Sequence, residues 1–146
     1  MSGAMLPSIE DARRRARPAT QRGSGPASGA ARIPPHNLEA EEALLGAMML
    51  SRDAIATAVE RVHEGDFYKP SHAHIFEAIT SLYAQGEAVD HVTVAEMLRR
   101  AGVLENIGGE ATLISIKANT PAISSAARYG TIVEELALLR RLIGVA

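Results

Sequence analysis

The sequence predicts an all-α fold: a small helical head of about five helices over residues 33–123, then a long helix over 124–146 that is the first arm of a helical hairpin. Three observations carry this. Apolar residues recur at spacings of three and four through most of the chain. Tryptophan is absent and aromatics make up 3%, so a chain that is 47% hydrophobic draws its core from Leu, Ile, Val, Met and Ala, which favours packed helices over sheet. Capping and breaking residues fall where the apolar runs begin and end.

The first helix opens on "PPHNLEAEEALLGAMML". The proline pair stiffens the approach, Asn37 is a good N-cap, and Glu39, Glu41 and Glu42 place negative charge in the first turn, where free amides and the helix dipole favour it. Leu38, Leu45 and Met49 fall on one face, widened by Leu44 and Met48, and the methionines read as core. A short second helix carries Ile55, Val59 and Val62 and ends at "HEGDFYKP". Pro70 and Ser71 introduce a third, with Ile75, Phe76, Ile79, Leu82 and Tyr83 at helical spacing up to Gly86. Asp90 caps a fourth that carries Val94, Met97, Leu98 and Ala101 and stops at Gly102. The fifth lies in "NIGGEATLISIKANTP" between Gly108–Gly109 and Pro121; its "TLISI" also fits the alternation of a strand, with helix favoured.

The last segment, Ser124 to Ala146, is different in kind. Tyr129, Ile132, Val133, Leu136, Leu139 and Ile143 form one apolar stripe, with Arg140 and Arg141 near its end and no Gly-Pro stop. Such a helix is expected to pair, either as one arm of a longer hairpin or at an oligomer interface, and the chain is expected to be a piece of something larger.

Charge divides the chain near Arg32. Residues 1–32 carry +4 and run into "GSGPASGAA"; residues 33–146 carry −6. The first part has too few large apolar residues to offset the entropy of ordering, so it is expected to be a disordered basic tail. Within "EDARRRAR", Arg13, Arg14, Arg15 and Arg17 are the candidates for contact with nucleic acid phosphates or an acidic partner, against the simpler reading of a solubilising leader. With no cysteine there are no disulfides or thiolate sites. No apolar run approaches the roughly 18–20 residues of a membrane span, and the expected location is cytoplasmic.

Catalytic readings fare poorly. His72 and His74 stand at i and i+2, about 200° apart on a helix, so they do not share a face for one metal ion, and His72 reads as a capping or packing residue. His63, Asp66 and Tyr68 suggest acid–base work, but no nucleophile motif accompanies them; a structured loop anchored by Phe67 is favoured. The glycines of "GVLENIGGE" lack the pattern of a phosphate loop. No cofactor is expected in this chain.

Six stretches, "IPPHNLEAEEALLGAMML", "DFYKPSHAHIFEAI", "VDHVTVAEML", "IGGEATL", "NTP" and "YGTIVEELALLRRLI", resemble in order and spacing the amino-terminal domain of DnaB-type bacterial replicative DNA helicases. The resemblance covers about residues 33–146. It implies a helical head followed by a long helical hairpin, and self-association into dimers that build a trimer-of-dimers collar in the hexamer. It also implies docking of primase and influence from helicase loaders. ATP, magnesium and the DNA-translocating loops would belong to a RecA-like motor domain beyond these residues, so this chain is expected to be no enzyme and to meet DNA only weakly or indirectly. A nucleoid association follows from the same resemblance. In the family an aromatic often follows the double glycine as G-G-x-x-Y on the primase-facing surface; Thr112 stands there in this sequence, and that contact is not carried over. Ile143 matches an apolar hairpin position and is a candidate contact. A reading of a different class is a stand-alone helical nucleic-acid adaptor working through the basic tail.

Overall fold

The computed structural model describes residues 33–144, so the tail arginines Arg13, Arg14, Arg15 and Arg17 and the last two residues of the predicted arm lie outside the described residues. Among those described there are six α-helices and no strand: α1 (Leu38–Leu50), α2 (Arg52–Val59), α3 (Pro70–Ala84), α4 (His91–Arg100), α5 (Glu110–Ala118) and α6 (Ala126–Leu142). Short 3-10 turns at Glu64–Asp66, Glu105–Ile107 and Ile123–Ser125 connect them. No helix among the described residues is long and apolar enough to cross a membrane.

Helix α1 is the centre of the molecule. Asn37 caps it by accepting the Ala40 amide (2.9 Å). Nine of its 13 residues are buried, because α2, α3, α5 and α6 all pack against it. A helix covered over most of its surface has no single apolar stripe. The face expected from Leu38, Leu45 and Met49, widened by Leu44 and Met48, is buried except at the half-buried Leu38, and the covered surface extends further, to Ala43, Gly46 and Ala47. Gly46 makes the approach of α5 possible. A Cβ there would lie 2.8 Å from the Ile116 carbonyl oxygen and against the Thr120 hydroxyl, closer than side chains come.

Ser51 serves two helices at once. Its amide donates to Ala47 O (2.9 Å), closing α1, and its hydroxyl accepts the Ala54 amide (3.3 Å), opening α2. The early start shifts α2 back from the expected span, so Val62 is buried beyond the helix end and Val59 is exposed.

The stops after α3 and α4 follow the expected glycines. Gly86 and Gly102 adopt φ of 74° and 78°. Around them Glu87 N donates to Leu82 O and Val103 N to Leu98 O, both at 3.0 Å, the paired bonds that satisfy a helix's last carbonyls. At the start of α4, Asp90 accepts the amides of Thr93 (2.8 Å) and Val92 (2.9 Å), while Thr93 Oγ1 accepts the Asp90 amide (3.0 Å). The bond from the Thr93 amide, only partly opposed by burial, holds the Asp90 carboxyl below the usual range. In α5, Leu113 and Ile116 are buried while Ile114 is 47% exposed, the i, i+3 signature of a helix and the reverse of what strand alternation in "TLISI" requires.

Helix α6 lies against α1 and α2. Its contact line is Ala126, Gly130, Val133, Ala137 and Arg140, mostly small residues that bring the helix axes close. Of the expected stripe, Val133 is buried, Tyr129, Ile132 and Leu136 flank the contact half-buried, and Leu139 and Ile143 are exposed. The helix ends at Leu142, followed by Gly144 at φ 79°.

Candidate interaction surface

Two clusters and one surface decide what this molecule can do. The first cluster is buried. Glu41, expected to serve the start of its own helix, turns away from it and accepts the amides of Tyr68 (2.7 Å) and Lys69 (3.4 Å), directly before α3. His72 Nδ1 donates to the same carboxylate at 2.7 Å, and its Nε2 lies 3.6 Å from Glu42 Oε2. Glu41 thus caps another helix 27 residues on, which explains why Lys69, at the N-cap position, contributes no side-chain bond. Glu41 and His72 are each only 2% exposed, so a reacting molecule has no path to them. His74 points elsewhere, into a groove of about 380 Å³ between α3 and α4. No group of three or more metal-ligating side chains is assembled among the described residues.

The second cluster contains the residues of the acid–base reading. Asp66 Oδ2 accepts the His63 amide (2.9 Å), and Oδ1 pairs with Arg141 Nη1 (3.1 Å). Tyr68 stacks on His36, ring centroids 4.0 Å apart and 9° from parallel. Phe67 is buried against Phe76, as expected of an anchored loop. Arg140 joins these parts, with Nη1 donating to Pro35 O (2.9 Å), Nη2 donating to Asp66 O (2.7 Å), and the guanidinium 5.5 Å from the Tyr68 ring centre. The guanidinium groups of Arg140 and Arg141 and the Asp66 carboxylate are all engaged in bonds within the fold. The cluster is structural glue.

The apolar surface open to a partner is concentrated at the end of α6. The last turns of α6 and the residue that follows it expose Leu138 (49%), Leu139 (44%), Leu142 (72%) and Ile143 (56%), the largest group of adjacent exposed leucines and isoleucines among the described residues. Tyr129 and Ile132, nearer the start of α6, line a cleft of about 170 Å³ beside Ala40, Ala43 and Pro121. Leu138 and Leu142 were missing from the predicted stripe. They sit on the far side of the helix from Val133 and Ala137, and a scan for one stripe does not find two. Thr112 is half-buried and its side chain closes on Gly108.

These features define an all-helical domain closed around one core, with an apolar helix end left uncovered. Residues 33–135 match the model of the DnaB-like helicase N-terminal domain, and the chain belongs to that family. It is 47% identical over 118 residues to the replicative DNA helicase DnaB of Mycobacterium leprae, covering 81% of this chain and 20% of that protein. It is 43% identical over 115 residues to the replicative DNA helicase DnaC of Bacillus subtilis, covering 79% of this chain and 25% of that protein. The crystal structure of the N-terminal domain of DnaB helicase from Mycobacterium tuberculosis superposes with a TM-score of 0.75 at 48% identity, covering 76% of this chain and 80% of that one. The chain spans a fifth to a quarter of the length of these curated relatives, and the part it matches is the N-terminal domain, not a RecA-like motor domain.

Proposed function

We propose that this domain forms part of the collar of a replicative DNA helicase, self-associating through the end of α6 and offering a docking surface to primase and the helicase loader. ATP and magnesium chemistry belong to the motor domain of such a protein, and contact with DNA through this part is weak or indirect. The observation that carries the reading is the exposed Leu138–Leu139–Leu142–Ile143 surface. Burying each such side chain is worth about 1.5–3 kcal/mol, so pairing two copies offsets a large part of the entropic cost of association. Family membership supports the assembly in which this takes place.

The test is light scattering across a concentration series. The wild type is expected to shift towards dimer or higher, while Leu139→Glu with Ile143→Glu stays monomeric with an unchanged melting temperature, because both positions are exposed. Leu136 is left intact, since it is half-buried against the head. A wild type that stays monomeric at every concentration contradicts the proposal.

A further inference from the structure

The apolar end of α6 serves as an interface only if its direction is set. Up to Ala137 the helix is held by apolar contact with the head. Beyond that point the residues facing the head are Arg140 and Arg141, and the hold is polar. Arg140 is 8% exposed, and its two hydrogen bonds go to backbone carbonyls 105 and 74 residues away: Pro35 O in the segment entering α1, and Asp66 O in the turn before α3. Its guanidinium carbon lies over the Tyr68 ring, 5.5 Å from the centroid, and Tyr68 also stacks on His36. Arg141 adds an ion pair to the buried Asp66 carboxylate, which also holds the His63 amide. A planar fork that bonds two separate chain segments and stacks on a third group has little rotational freedom.

We propose that Arg140 is a positioning residue, a latch that locks the last turn of α6 to the head and so sets the angle at which the apolar surface is presented. Opening it frees the end of the helix to swing without disturbing the core, which ends at Val133 and Ala137. The device connects the entry to α1, the turn before α3 and the end of α6, so a partner that pulls on Pro35–His36 or on the Glu64–Asp66 turn changes the presentation of the interface. The inference rests on the proposed function for its purpose, but its geometry is tested separately.

Because the chain has no cysteine, two can be introduced and spin-labelled without interference, at exposed Glu77 on α3 and exposed Leu142 on α6. Distances are measured at a dilution where light scattering finds monomer. The otherwise unaltered chain is expected to give one narrow distance distribution, and Arg140→Met a broad or displaced one. Amide exchange over residues 139–143 should be about tenfold faster in that variant, with exchange in α1 unchanged. Should Arg140→Met fail to fold, Tyr68→Leu decides: it keeps apolar bulk, removes the ring under the guanidinium, and is expected to broaden the same distribution. A distribution that stays narrow in whichever variant folds, with unchanged exchange at 139–143, overturns the latch. Loss of self-association in the wild type with the narrow distance intact would sink the proposed function alone.

Discussion

Helices α1 and α6 lie against each other, and both carry apolar residues on more than one side, for opposite reasons. In α1 the chain itself covers most of the surface: nine of 13 residues are buried, and four neighbouring helices pack against them. In α6 five of 17 are buried, and the apolar residues on the far side of its last turns meet solvent. The same kind of residue therefore does different work at the two ends of the domain. Apolar surface that the fold covers contributes to its stability; apolar surface left open favours a partner. Changes at buried positions of α1 should move melting and leave association intact, whereas changes at the exposed Leu139 and Ile143 at the end of α6 should do the reverse.

The largest effect is expected at Glu41. Glu41→Ala removes an acceptor from His72 and from the amides of Tyr68 and Lys69, all away from solvent or partly so. Leaving a buried donor without its acceptor costs about 1–3 kcal/mol, and three donors lose theirs here, which chemical denaturation would measure as a lower midpoint. A loss below 1 kcal/mol would mean that water replaces the carboxylate and that α1 is less closed than its burial implies.

Next is Gly46→Ala, which forces a Cβ against the Ile116 carbonyl and the Thr120 side chain. Overpacking of this kind costs about 1–3 kcal/mol. Thermal melting checks it, and Thr120→Ala in the same chain should recover part of the loss by removing the flexible half of the clash.

The smallest concerns Asp90, far from the contact between α1 and α6. Its carboxyl is held below its ordinary range in the folded domain, so its contribution is fully present above the unfolded aspartate value of about 4 and fades as pH falls through the lower folded value. Asp90→Ala should cost about 1 kcal/mol at pH 7. The gap between wild type and variant should narrow on acidification; a gap independent of pH would show that the Asp90 bonds contribute nothing as an ionised cap. This loss bears on α4 alone and should leave self-association through α6 as it was.

The signals that the sequence displays on its own are those whose partners lie within one turn. Asn37 bonds Ala40, Asp90 bonds Thr93, and Gly86 and Gly102 close the helices they end, each within a few residues. These depend on backbone geometry and short side chains, so they can be located without knowing what lies across the fold, and together with apolar residues at helical spacing they give the helices in order. The family resemblance carried by those stretches was legible in the same way.

Tertiary structure alone decided the rest. Glu41 stands in the first turn of α1, where local rules assign it to that helix, yet its three donors come from residues 27 to 31 positions later. Arg140 and Arg141 suit a helix end by charge, but Pro35 and Asp66 become their partners only once α6 lies against the head. The side of α6 that packs was hidden for a related reason. Large apolar residues at helical spacing form the stripe Tyr129, Ile132, Val133, Leu136, Leu139 and Ile143, whereas close helix contact uses Val133 with the small Ala126, Gly130 and Ala137 and turns much of the large stripe outward. Sequence spacing records which side chains share a face of one helix; which face is covered depends on the shape of its neighbour, and that exists only after folding.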